Sequence, residues 1–370
     1  MAKPKPKVFF TDMRTVSGDS LQKKLARLIK AAGISEIDFN QKFAAIKIHF
    51  GEPGNLSYLR PNYAKTVADV IKELGGKPFL TDCNTLYVGR RKNALDHLDA
   101  AYENGFSPFS TGCQVIIGDG LKGTDETLVP IDGRYVKEAK IGTAVMDADI
   151  IISLTHFKGH ELTGFGGALK NIGMGCGSRA GKMEQHSSGQ PVVTRQDCTG
   201  CGKCQKNCAH QAITVKNGKA AIDAAKCVGC GRCIGICPFD AVSAEFDEAI
   251  DILNCKMAEY ALAVLKERPQ FHISLTIDIS PYCDCYSEND VPIVPDVGMF
   301  ASFDPVALDR ACADAVNAQP VALGSVLGER PQTYGDHFTN VHPATNWRAC
   351  LEYAEQLGLG TQEYELVTIP

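Results

Sequence analysis

Between residues 198 and 237 one cysteine spacing is written twice. CTGCGKCQKNC supplies Cys198, Cys201, Cys204 and Cys208; CVGCGRCIGIC supplies Cys227, Cys230, Cys233 and Cys237. Both read C-x-x-C-x-x-C-x-x-x-C, with Pro238 behind the second run and Ala209 behind the first. Three thiolates at this spacing wrap one face of a cubane, and the fourth cysteine reaches the neighbouring cluster. Cys198, Cys201, Cys204 and Cys237 are therefore expected to hold one [4Fe–4S] cluster, and Cys227, Cys230, Cys233 and Cys208 a second. Two structural zinc sites are the alternative, but tetrahedral zinc does not call for the doubled spacing. VKNGKA between the runs contains Asn217-Gly218, the hairpin turn that a compact two-cluster fold needs.

The chain has sixteen cysteines in 370 residues. Its start, MAKPKPKVFFTD, is basic but carries too short an apolar run for a secretory signal, and no stretch approaches a membrane span. A cytoplasmic location is expected, where thiols stay reduced and metal ligation explains the cysteines better than disulfides. A net charge of −5 with 22% charged residues gives no basic excess for nucleic acid. Neither nucleic acid nor membrane is an expected partner.

Strand and helix signals alternate on both sides of the cysteine run. KVFFT, FAAIKIHF (43–50), KPFLTD, QVIIGD and ADIIISL (148–154) read as strands. Leu21, Leu25, Leu28 and Ile29 keep helical spacing, Pro61 opens a second helix, and RKNALDHLDAAYENG reads as a third. Beyond the insert, Phe246, Ile250, Leu253, Met257 and Val264 mark a helix, HISLTIDI a strand and DPVALDRACADAV a helix. The pattern predicts an α/β fold: a mainly parallel sheet flanked by helices, built from residues 1–190 and 246–370, with a module at 191–245 inserted between. That module resembles the bacterial two-cluster ferredoxins.

Ligands of such sheets bind where loops leave the carboxyl ends of strands. HFKGHELTGFGGALKNIGMGCGSRAGKMEQH (156–186) leaves strand 148–154 in this way. GCGSRAGKM is one residue too long for a P-loop, and Met183 stands where the magnesium-binding hydroxyl belongs. GFGGAL has Leu169 in place of the third glycine of a dinucleotide fingerprint. What remains is a basic nest. Gly164, Gly166 and Gly167 allow close backbone approach to a ligand, a helix starting there would favour an anion, and Lys158, Lys170, Arg179 and Lys182 add positive charge. Lys170 and His160 are candidates for fixing and polarising a ligand, and His186 for moving a proton or holding a metal. Gly164, Gly166, Gly167, Arg179 and Lys182 are candidates for binding a cofactor. The competing reading is a glycine-rich clasp that packs the insert onto the sheet. Cys283 and Cys285 could grip a metal or substrate, or be packed thiols. His49 and Asp82 fall at the same expected rim, while Asp296, Asp304 and Asp309 read as caps and turns.

The segments HFKGHELTGFGGALKNIGMGCGSRAGK, TDCNTLY, DISPYCDCY and PDVGMFASFDPVALD together resemble the iron–sulfur centre proteins of domain of unknown function family 362. The resemblance spans nearly the whole chain and implies its architecture and cluster content, but no reaction. A local resemblance links His160, Lys170 and His186, in order, to the lactate racemase family, where the lysine tethers a nickel-pincer nucleotide and the later histidine ligates nickel. Here one more residue separates the glycine pair from Lys170. The similarity implies a ligand-binding turn with Lys170 pointing into it. The leading expectation is a redox enzyme of the ferredoxin-dependent oxidoreductase kind. Its two clusters would exchange electrons with a low-potential partner and relay them to a small anionic ligand, or to a further metal or anionic cofactor. The rival is a non-catalytic electron-transfer or cofactor or metal maturation protein.

Overall fold

The structure is a computed structural model describing residues 4–86, 88–186, 189–246 and 248–370; Tyr87 of TDCNTLY lies outside them. Eight strands form the main sheet: β1 (Lys7–Asp12), β2 (Phe43–Lys47), β3 (Lys77–Asp82), β4 (Gln114–Ile117), β5 (Ile150–His156), β6 (Gln270–Thr276), β7 (Gly298–Ser302) and β8 (Glu365–Thr368). Their spatial order is β8-β1-β7-β6-β5-β2-β3-β4. β6, β5, β2, β3 and β4 run parallel to one another. β7 runs antiparallel to both its neighbours, so the sheet is mixed at that edge. Every residue of β5 is buried, including the polar Ser153, Thr155 and His156, as expected of a parallel strand covered on both faces.

Alternation within the strands divides the core. Ile150, Ile152, Leu154, Phe271, Ile273 and Leu275 face one layer, which holds helices α1 (Leu21–Ala31) and α2 (Pro61–Glu73). Ala45, Phe79 and Ile151 face the other layer. The longer helices there are α3 (Ala168–Cys176), α5 (Ile250–Leu265), α6 (Pro305–Asn317) and α7 (Trp347–Gln356), with α4 (Arg179–His186) following α3. Each fully buried aliphatic side chain stabilises this arrangement by about 1.5–3 kcal/mol. Local signals set the helix ends. Ser20 caps α1 by accepting from Lys23 N, Pro61 occupies the first turn of α2, and Asp304 caps α6 by accepting from Val306 and Ala307 N. The sequence reading started α5 at Phe246, but the helix begins at Ile250, and Phe246 instead packs edge-on against His186 at 5.1 Å. FAAIKIHF leaves the sheet after Lys47, which puts His49 beyond the strand end.

Residues 191–244 stand outside the main sheet. Pro191–Val193 pairs antiparallel with Val242–Ala244, and Ile213–Lys216 with Lys219–Ile222. Asn217 and Gly218 have φ of 51° and 70°, the two positive values a type I′ turn demands. The two cysteine runs share one backbone shape. Gly200 and Gly229 have φ of 68° and 71°, and Gly202 and Gly231 have φ of 75° and 63°. A five-residue helix follows each run's second glycine, Lys203–Asn207 and Arg232–Ile236.

Candidate functional site

A pocket partly open to solvent lies at the carboxyl ends of β2, β3 and β5. β2 ends in Lys47 and leads to His49; β3 ends in Asp82; β5 ends in His156 and leads to Lys158. α3 adds Lys170 and Asn171, and α4 adds Lys182. Arg91 and Cys285 enter from loops. The lining thus holds five Lys or Arg side chains against one carboxylate. Lys47 Nζ is 2.9 Å from Asp82 Oδ1 and donates to Asn171 Oδ1 at 2.8 Å. Burial opposes the charge on Asp82, but the Lys47 ammonium outweighs it and holds the carboxyl well below the usual range. Asn171 Nδ2 donates to the carbonyls of Lys47 and Leu154, tying α3 to the strand ends.

Behind the wall, Arg91 Nε donates to Glu52 Oε2 at 2.7 Å, and Arg91 Nη1 lies 2.9 Å from His49 Nε2. Burial and the Arg91 charge push His49 down to about 3, so its imidazole is neutral. Asp284 Oδ2 lies 2.8 Å from His156 Nδ1 and 3.8 Å from Lys158 Nζ. Burial works against the charge on Lys158, but Asp284 and the sulfurs of Cys283 and Cys285 raise its pKa above the ordinary lysine value. Among the described residues no carboxylate forms a salt bridge with Lys170 or Lys182. Lys182 Nζ donates instead to the carbonyls of Gly175 and Gly177. These two ammonium groups are the ones most available to a bound anion.

Lys170, Lys182, Gly166 and Gly167 line the pocket; His160, Gly164, Arg179 and His186 are not part of its lining. His186 nonetheless feels Lys170, His160 and Lys182, which together with burial push it down to about 3. That neutral ring suits a ligating role better than proton donation. His160 Nδ1 accepts from Leu162 N and Thr163 N at 3.1 and 3.2 Å. Gly164 (φ +79°) faces the Trp347 side chain. The N-terminus of α3 is already capped from within the chain: Asp309 accepts from Ala168 N and Leu169 N at 2.6 and 3.0 Å. A Cβ on Gly167 would occupy the space of that carboxylate. Asp309 was expected to be a cap, yet it caps a helix 140 residues away in sequence, which no local pattern could reveal. The sequence reading did not include Lys47, Arg91, Glu52 or Asn171. A lysine ending a buried apolar strand run was the one available signal, for Lys47.

Arg179 ties the pocket to the insert. Its guanidinium donates to the carbonyls of Lys122, Thr85 and Lys92, and it lies against Gly231 and Gly235, where a Cβ would strike it. Next on the same helix, Met183 packs in the apolar cluster that contains Cys198, Cys204 and Cys233.

Within the insert, Cys198, Cys201, Cys204 and Cys237 line one cavity, and Cys208, Cys227, Cys230 and Cys233 line another. None of the sixteen cysteines is joined to another in a disulfide. Ala220 N donates to Cys198 Sγ and Ala212 N to Cys208 Sγ, each at 3.3 Å. The N–H groups of Ala220 and Gly200 lower the Cys198 pKa and favour the thiolate. Among the described residues no three His, Cys, Asp or Glu side chains converge closely enough to hold a single metal ion. Each quartet lines a single cavity, which is what the four ligands of a cubane would require.

Fold and site define an α/β protein with a basic pocket at the sheet rim and a cysteine-rich insert beside it. The chain belongs to the family described as Domain of unknown function (DUF362), whose model matches residues 44–314. A thylakoid-associated protein of Synechocystis sp. is 27% identical over 124 residues, covering 34% of this chain and 35% of that protein. The chain thus matches about a third of the length of that curated relative. Among solved structures, the lactate racemase apoprotein of Thermoanaerobacterium thermosaccharolyticum is similar at a TM-score of 0.37 and 11% identity, covering 73% of this chain and 51% of that one. A Thermotoga maritima protein is similar at a TM-score of 0.39 and 12% identity, covering 92% and 59%. No helix among the described residues is long and apolar enough to cross a membrane.

Proposed function

We propose that the chain is an iron–sulfur redox protein in which each cysteine quartet holds a [4Fe–4S] cluster and the rim pocket binds an anionic electron acceptor. The observation that carries this reading is the position of α4. Lys182 on that helix lines the pocket, while Arg179 and Met183 touch the insert. These three residues stand at i, i+3 and i+4 and so share one face of the helix, which therefore borders both sites. A bound [4Fe–4S] cluster supplies or accepts single electrons at a potential set by its burial and hydrogen bonds. The chain's own groups do the rest. Lys170 and Lys182 bind the anion, Lys47 and Lys158 stabilise charge that builds on it, and Asn171 with Asp82 holds Lys47 in place. The neutral His49 and His186 leave the cationic work to the lysines.

Anaerobically prepared protein is expected to contain about eight iron and eight acid-labile sulfide per chain. Four iron atoms after full reconstitution would overturn the two-cluster assignment. Replacing Cys208 is expected to disturb the cluster of Cys227, Cys230 and Cys233, and to spare the one beside it in sequence.

A further inference from the structure

Two cysteines outside the quartets meet at the wall of the rim pocket. Cys283 and Cys285 flank Asp284 in a turn that Tyr286 N closes by donating to the Cys283 carbonyl at 3.2 Å. Their sulfurs stand 3.1 Å apart. Cys283 is buried and Cys285 faces the pocket. Lys170 Nζ lies 3.8 Å from Cys283 Sγ, and His49 Nε2 3.3 Å from Cys285 Sγ. Asp284 turns the other way, toward His156 and Lys158. A C-x-C pair can also grip a soft metal ion, but among the described residues no third ligand completes such a site.

We propose that Cys283 and Cys285 are a redox-active dithiol that closes to an intramolecular disulfide, and that the pocket takes an anionic disulfide as substrate. The proposal rests on the cluster reading above for its source of electrons. Closing the pair needs the sulfurs to approach by about 1 Å, to a bond of about 2.05 Å, within a turn that already aims them at each other. Proton sharing suits the chemistry. The hydrogen bond from Cys285, with burial opposing and Lys158 and Lys170 assisting, lowers the Cys283 pKa well below a thiol's; Cys285, which keeps the proton, lies well above. The nucleophile is the thiolate.

The steps balance. The proton crosses to Cys283 as the pocket-facing Cys285 sulfur attacks one sulfur of the substrate. The substrate S–S bond breaks, and half of the substrate leaves as a thiolate beside the lysines. Cys283 gives its proton to that thiolate and attacks Cys285, closing the Cys283–Cys285 bond and releasing the second half as a thiolate. The substrate gains two electrons and the protein pair loses two. Reopening the protein disulfide takes two electrons and one proton. Two one-electron carriers in the insert supply that number, and neither could do so alone in a single step.

The test treats the anaerobic holoprotein with oxidised glutathione, an anionic disulfide. It then alkylates the denatured chain and examines the peptide carrying both cysteines by mass spectrometry. That peptide is expected to lose two hydrogen atoms and escape alkylation, and reduced viologen is expected to restore both thiols. Cys283→Ser should trap glutathione on Cys285, and Cys285→Ser should remain unmodified at Cys283. Full alkylation of both cysteines, or glutathione attached only at other cysteines, overturns the dithiol. Iron and sulfide are measured on the same sample. Full iron content without the disulfide defeats the dithiol alone. The disulfide in protein that cannot bind iron defeats the cluster reading alone. A disulfide that reduced viologen leaves closed defeats the electron connection between them.

Discussion

Asp309 shows how much a single residue can owe to a distant partner. Its sequence context, DPVALDRA, marks a helix start, and Asp304 does cap that helix. Asp309 points across to α3, and only the fold brings the two together. Burial, partly offset by the N–H groups of Leu169 and Ala168, pushes its carboxyl up to about 7. An aspartate in the unfolded chain titrates near 3.9, so the folded chain binds the proton more tightly. The protonated form therefore favours folding most below about pH 4, and stability falls as pH rises toward about 7. The gap of about three units bounds the effect at about 4 kcal/mol. Asp309→Asn keeps an acceptor oxygen for one of the two N–H groups and removes the titration. Between about pH 4 and about pH 8 the native chain is expected to lose more thermal stability than the variant; equal losses would rule out a raised Asp309. Lys170 was legible, because glycines and a histidine around it marked a loop leaving a strand. Lys170→Ala is expected to keep full iron content and weaken the binding of inorganic phosphate, measured by calorimetry, about tenfold, a loss of about 1.4 kcal/mol. Unchanged binding would return the loop to the clasp reading.

At the level of elements, the parallel strands were readable because each is an apolar run bounded by turn residues. β7 and β8 were not. GMFAS is buried throughout but offers only three apolar residues between a glycine and a serine, and ELVT is mostly exposed at the edge, so neither carries a strand signal of ordinary length. The helix α4 was the harder miss. Its residues read as a basic, polar loop, and it is helical because tertiary partners cover it. Arg179, Ala180, Gly181, Lys182, Met183, Gln185 and His186 are all buried. Arg179→Met is expected to strip the carbonyls of Thr85, Lys92 and Lys122 of a charged donor at about 1–3 kcal/mol in all. The loosening should appear as faster proteolysis at the borders of the insert, and an unchanged digestion rate would show that Arg179 does not hold the insert. Gly218→Ala isolates backbone strain, since a Cβ there meets nothing within 4 Å. Its φ of 70° sets an expected cost of about 1 kcal/mol, read from the unfolding of the insert.

For the whole molecule, the insert enters and leaves through adjacent strands. Pro191 pairs with Ala244 and Val193 with Val242, so the two ends of the excursion already meet. Replacing residues 194–241 with a two-residue turn is expected to leave the eight-stranded sheet folded, with native-like circular dichroism and a cooperative transition, while iron binding disappears. An unfolded product would show that the body depends on the insert for stability. The alternation of strands and helices on both flanks made this two-part body legible; the way the insert sits against α4 was not, because it depends on contacts between Arg179 and glycines some fifty residues further on. The same topology orders events during synthesis. β5 must wait for β6 as its neighbour, and the chain completes its last quartet cysteine, Cys237, before β6 begins at Gln270. The loop bearing Cys283 and Cys285 emerges later still. On the ribosome, therefore, all eight thiols of the insert emerge before Cys285, the one pocket-lining residue, among those described, that follows them, and under the proposed reading iron could be loaded before the dithiol turn exists to compete for it.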